Sequence, residues 1–200
     1  MTLVKNKQLK RDKLLDQGVH MLLTKGYHGT GIKEILDIVQ VPKGSFYNYF
    51  ASKEEFAAEA INHYIEPFIV LLTQHLQTSE IDALSALKNY YAELIAEVDK
   101  GDYKGGCLLG NLMGEIGDTS ELCNQALKNA VERYKQLQKT ALERAQQQGS
   151  VRKDRSAESM ADLLVNNWQG ALLRMKIEQS VQPLQEFYDT LLDDYFTTKS

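Results

Sequence analysis

The sequence predicts an all-α protein on three observations. Apolar residues recur at helical spacing along almost the whole chain and nowhere alternate as they would in a half-buried strand. Only three prolines interrupt 200 residues. A short polar and aromatic segment after Pro42 follows directly on an amphipathic one, which is the pattern of a helix-turn-helix.

Residues 1–6 are expected to fray. A first helix is predicted from about residue 7 to 25, with Leu14, Leu15, Gly18, Val19, Leu22 and Leu23 on its apolar face. Its basic cluster, Lys7, Lys10, Arg11 and Lys13, is either solvated or aimed at phosphates. Gly26 ends this helix, and Thr30 is expected to cap the second by accepting from an orphan backbone N–H. In that second helix Ile32, Ile35, Leu36 and Val39 share one face, leaving Lys33, Glu34 and Asp37 outside. Pro42 has no N–H to lose at a helix start, so a third, short helix is predicted over 43–50. There Lys43, Ser45, Tyr47, Asn48 and Tyr49 offer cationic, hydroxyl and amide groups, anchored by Phe46 and Phe50. Ser52 and Glu55 form a capping box that opens the fourth helix.

That fourth helix is predicted over 53–77, with Pro67 in its middle and a kink expected near His63. Residues 78–82 break the chain, and Leu84, Leu87, Tyr91, Leu94, Ile95 and Val98 mark a fifth helix. Five glycines then fall between 101 and 114, bracketing Cys107, where a sixth helix is expected to begin. A thiol at a helix amino terminus is biased toward the reactive thiolate. The seventh helix, capped by Asp118 or Thr119, carries Leu122, Leu127, Val131, Tyr134, Leu137 and Leu142; Cys123 sits in it as a plain structural residue. An exposed connector at 149–155 leads to an eighth helix over 156–180 and a ninth opened by Pro183. About nine helices result.

The formal charge of −4 is unevenly spread. Residues 1–55 carry a net +3 and the remainder −7, which suits a protein that meets phosphate with one end only. His20, His28, His63 and His75 are scattered without metal-ligand spacing, and Cys107 and Cys123 do not form a Cys-x-x-Cys pair. With no phosphate-binding glycine motif after a strand, nothing points to an enzyme, a metal or a cofactor. No apolar run is long enough to cross a bilayer, and the charged start is unlike a signal peptide, so a cytoplasmic location is expected.

The run GYHGTGIKEIL…VPKGSFYNYFASKEEF resembles the amino-terminal DNA-binding domain of TetR-type transcriptional repressors. Tyr49 stands where many members have histidine. The resemblance implies a three-helix DNA-binding domain over 1–52 and a helical ligand-sensing and dimerisation domain over 53–200. It also implies a homodimer, paired through the eighth and ninth helices, on a palindromic operator. Ser45, Tyr47 and Asn48 have the chemistry for base or near-base contacts, whereas Lys43, Tyr49, Lys53 and Thr30 are expected on phosphates.

The stretches GGCLLGNLMGE and WQGALLRMKIEQSVQPL resemble one branch of this family, the repressors similar to that of N-ethylmaleimide reductase and to acrylate-responsive repressors. This resemblance implies a small-molecule inducer, a reactive electrophile or oxidant sensed at Cys107, with Lys176 supporting the thiolate or bonding to the oxidised sulfur. Two alternatives stand beside it. One is a hydrophobic inducer held without covalent chemistry by Tyr64, Phe68, Tyr91, Tyr103, Met113 and Trp168. The other is a helical interaction scaffold that binds no DNA.

Overall fold

The computed structural model describes residues 2–78, 80–101, 103 and 106–198, without the side chains of residues 2–6 and of Lys43. The chain runs through α1 (Thr2–Gly29), α2 (Ile32–Val39), a 3-10 helix (Lys43–Asn48), α3 (Lys53–Gln77), α4 (Ala83–Asp99) and α5 (Leu108–Ile116). It continues through α6 (Glu121–Gln148), α7 (Ala157–Glu178) and α8 (Gln182–Phe187), which passes into a π-helical stretch, Tyr188–Tyr195. The all-α expectation holds. Among the described residues the only extended pairing is a single antiparallel bridge between Val151 and Thr197.

Two compact units emerge, and they divide the chain differently from a cut at residue 52. The first comprises Met1–Glu66 and Leu108–Ala130, and the second Pro67–Cys107 and Val131–Ser200. The first unit therefore takes in α5 and the start of α6, which sequence periodicity alone had no means of assigning. Within α3 the division falls at Glu66 and Pro67, where the proline ring removes one helical hydrogen bond.

The first unit is built on an aromatic core. Phe46, Phe50 and Phe56 are all buried, with ring centroids 4.9–5.6 Å apart. Gly18 of α1 is what admits Phe56: a Cβ there would lie 2.2 Å from the ring's Cζ. Leu14, Leu15, Met21 and Leu22 of α1 and Ile35 and Leu36 of α2 complete the core. α2 ends on Gln40 in the left-handed conformation (φ 58°), and the Val41 N–H returns to the Leu36 carbonyl at 2.9 Å, a common helix stop.

Four local expectations are corrected. Gly31, not Thr30, occupies the N-cap of α2; Thr30 is buried, and its hydroxyl donates to the Gly26 carbonyl at 2.6 Å. The third helix is a six-residue 3-10 segment that stops at Asn48, with Pro42 just outside it. At the start of α6 the cap is Ser120, whose oxygen accepts from the Cys123 N–H at 3.4 Å, leaving Asp118 and Thr119 in the preceding turn. The 149–155 connector is not uniformly exposed: Val151 is buried, and the Arg152 N–H donates to the Phe196 carbonyl at 2.9 Å.

The second unit packs α4, the later part of α6, α7 and α8. Asp82 caps α4, accepting from the backbone N–H groups of Leu84 (3.0 Å) and Ser85 (3.2 Å), and Ser156 caps α7. Leu84, Leu87, Leu142, Met160, Leu164 and Leu184 form the aliphatic part of its core.

Candidate DNA interface and ligand site

The short helix leaves polar groups in solvent because its sequence separates anchors from tips. Phe46 and Phe50 point into the aromatic core, while Tyr47 stands 68% exposed and Asn48 is exposed beside it. The Tyr47 ring meets Phe46 edge-on at 5.5 Å between centroids and leaves most of its surface in water. Ser45 and Tyr49 are half-buried, and the Lys7 ammonium lies 5.8 Å from the Tyr49 ring centroid. The Lys43 side chain lies outside the described residues. Ser52 and Glu55 make the expected capping box: the Glu55 N–H donates to Ser52 Oγ at 3.0 Å, and the Glu55 carboxylate accepts from the Ala51 N–H.

Lys53 opens α3 with its ammonium 4.4 Å from the Tyr27 ring centroid. Burial pulls its pKa down from the ordinary lysine range, and the Glu115 carboxylate opposes that shift. Thr30 departs from the expected phosphate contacts, because its side chain faces inward at 2% exposure. That hydroxyl serves the turn between α1 and α2 rather than a surface.

The second unit holds a buried polar cluster. Tyr90 and Tyr91 on α4 and Tyr134 and Gln138 on α6 are all buried, and the Tyr90 and Tyr134 hydroxyls lie 2.7 Å apart. Among the described residues the Tyr91 hydroxyl and both amide atoms of Gln138 make no hydrogen bond of good geometry, although Tyr134 and Gln138 lie near enough to the Tyr91 hydroxyl to act on its ionisation. Trp168 and Phe187 wall the cluster, each about 5 Å from the Tyr91 ring. Burial pushes the hydroxyls of Tyr90, Tyr91 and Tyr134 above the ordinary phenol range, so all three remain protonated and can donate.

Of the six residues expected around an inducer, Tyr91 and Trp168 come together here. Phe68 and Tyr103 belong to the same unit, but the Tyr103 hydroxyl donates to Asp99 at 2.7 Å. Tyr64 and Met113 belong to the first unit, and Met113 is exposed. Sequence reasoning missed Gln138, although its position one helical turn after Tyr134 was a usable signal.

Cys107 is buried immediately before α5, as expected for a thiol at a helix start. Lys176 is exposed in the last turn of α7. Cys123 is fully buried, and its thiol donates weakly to the Glu54 carbonyl (3.7 Å); burial raises its pKa, which suits the structural role. Among the described residues no cluster of histidine, cysteine or carboxylate side chains is arranged for a metal ion, and no helix is long and apolar enough to cross a membrane.

An exposed short helix carrying tyrosine and asparagine, braced by aromatic anchors and followed by a capped helix, defines a helix-turn-helix DNA-binding protein. Comparison with known proteins identifies the family. The model for "Bacterial regulatory proteins, tetR family" matches residues 14–60, and that for "Tetracyclin repressor-like, C-terminal domain" matches residues 83–191. The repressor DhaR of Mycobacterium sp. (strain GP1) is 34% identical over 184 residues, covering 92% of this chain and 90% of that one. The Escherichia coli (strain K12) repressor NemR is 31% identical over 175 residues, 88% of each. The crystal structure of reduced E. coli NemR matches with a TM-score of 0.86 at 29% identity, covering 96% of this chain and 98% of that one. The chain belongs to the TetR family and is a DNA-binding transcriptional regulator, not an enzyme.

Proposed function

We propose that this regulator is a cytoplasmic repressor that binds a palindromic operator as a homodimer and is released by a small reactive molecule. Residues 1–52 read DNA, and residues 53–200 sense the inducer and pair the two copies. Tyr47, Asn48 and Ser45 approach base edges, while Lys43, Tyr49 and Lys53 engage phosphates. The exposure of Tyr47 on a buried aromatic base carries this assignment. Dimerisation through α7 and α8 is supported by Leu173 and Ile177, one turn apart on α7 and 42% and 83% exposed, a pair of apolar side chains suited to burial against a second copy.

Cys107 is the proposed sensor, with Lys176 as its helper. Its place supports this: the thiol is buried immediately before α5, so an adduct on sulfur adds bulk at the start of that helix. Buried residues cannot absorb such volume without displacement. A second, compatible reading is a non-covalent subsite at Tyr91, Gln138 and Trp168. Burying polar atoms without partners costs about 1–3 kcal/mol each, and a ligand bearing both an acceptor and a donor would satisfy them.

The test is operator titration with and without N-ethylmaleimide, after a footprint beside the protein's own gene has located the palindrome. Maleimide is expected to release the wild type and to leave Cys107→Ser bound. Equal release of both proteins would remove the thiol from the mechanism.

A further inference from the structure

The corner between α1 and α2 is held by a residue distant in sequence. At Gly26 the backbone leaves the helix (φ 71°, ψ −179°), so the N–H groups of the next turn lose their partners four residues back. Glu115, in the last turn of α5, supplies replacements. Its two carboxylate oxygens accept from the Tyr27 N–H at 2.7 Å and the His28 N–H at 2.8 Å. This is an acidic cap delivered across 88 residues of sequence, and hydrogen bonds to a charged group are the stronger kind.

The corner is fitted to that carboxylate. A Cβ on Gly26 would lie 2.6 Å from Glu115 Oε2, and the positive φ disfavours a side chain there in any case. Thr30 closes the same turn from the other side through its bond to the Gly26 carbonyl, and α2 begins two residues later. The Tyr27 ring, next to the capped N–H groups, receives the Lys53 ammonium at the start of α3. Both helices that flank the reading segment, α2 and α3, are thus registered against the corner that Glu115 holds.

We propose that Glu115 is a positioning residue for operator recognition: from α5, its carboxylate fixes the α1–α2 corner and so the orientation of the reading helix. It touches no DNA in this assignment. Its loss therefore weakens operator binding by misorienting groups that remain present. The claim stands apart from the inducer reading. If maleimide failed to release the wild-type protein, the sensor would be lost and the affinity comparison for Glu115 would still decide this one.

The experiment compares the full-length wild type, Glu115→Gln and Glu115→Ala in operator titrations over a range of salt concentrations. All are held at a temperature where circular dichroism shows each fully folded. Glu115→Ala should bind the operator on the order of tenfold more weakly, and Glu115→Gln, which keeps one acceptor oxygen, should fall between it and the wild type. The dependence of log affinity on log salt should keep its slope, because no phosphate contact is removed. Gly26→Ala should weaken binding similarly, and in the double variant with Glu115→Ala the two losses should not add. Wild-type affinity in folded Glu115→Ala would overturn the proposal, as would a reduced salt slope, which would make Glu115 part of the phosphate-binding surface.

Discussion

The reading head and the tyrosine cluster of the second unit use the same residue types in opposite directions. In the head, phenylalanines face inward and tyrosine and asparagine face water, so Tyr47 is 68% exposed. In the second unit, tyrosines and a glutamine face inward, and Tyr90, Tyr91 and Gln138 have no exposure at all. Polar tips on the outside cost the fold little and are free to meet DNA. Polar atoms on the inside must find partners or destabilise what encloses them, and among the described residues three here make no hydrogen bond of good geometry. Each arrangement falls at a site proposed above for recognition, the head for DNA and the cluster for an inducer.

The largest effect should come from breaking the head's aromatic base. Gly18→Ala places a methyl 2.2 Å from the Phe56 ring, and that ring is pinned by Phe46 and Phe50. Alanine would gain about 1 kcal/mol over glycine in helix propensity, whereas overpacking at this distance costs about 3 kcal/mol. The expected net loss is about 2 kcal/mol, measured by chemical denaturation. An unchanged midpoint would mean that the aromatic base is loose enough to yield, and the contrast with the second unit would lose its structural half.

The head was legible in the sequence because it is local. Its anchors, tips, breaks and capping box lie within about thirty residues of one another, and the turn chemistry is explicit. The expected 53–77 span of α3 is the observed one, since a capping box marks its start. What escaped was whatever depends on distant pairing. Thr30 suited a cap by type and position, yet the turn at Gly26 drew its hydroxyl inward. Glu115 stood in view at the end of a glycine-rich segment, but nothing local connects it to Tyr27. Along α6, leucines were expected on the buried face, yet Leu122 is 51% exposed while Ala126, Ala130, Ala141 and Ala145 are buried. Small residues mark close helix approach, a signal that weighting by bulk overlooks.

The second unit's orphaned polar atoms set up a smaller test in the opposite direction. Gln138→Leu removes two buried polar atoms that make no hydrogen bond of good geometry among the described residues, so the ligand-free protein should gain about 1 kcal/mol, seen as a higher denaturation midpoint. Such a gain together with a weakened response to a non-covalent inducer would identify a site that trades stability for recognition. A loss of stability would show that the amide has a partner, such as a buried water, and the cluster would then be ordinary core.

The smallest expected effect sharpens the same contrast within a single helix. One residue from Tyr134 and from Gln138, α6 turns Lys135 and Lys139 the other way, and both ammonium groups lie 2.8 Å from Glu158 of α7. Hydrogen bonds from Lys135 and then Lys139 hold the Glu158 carboxyl well below its ordinary 4.5, at about 2. A depressed folded-state pKa contributes stability above the ordinary value, and that contribution is lost as pH falls from about 4.5 toward 2. Wild type and Glu158→Gln should therefore differ slightly in Tm at pH 7, with the gap narrowing below about pH 4.5 and closing only below about pH 2; added salt should also narrow it because the Glu158 carboxylate is open to solvent. A Tm difference that persisted undiminished below about pH 2 would assign the contribution of Glu158 to packing rather than charge. Lys135 and Lys139 would then no longer mark the outer face of α6 as the one whose polar groups are fully answered.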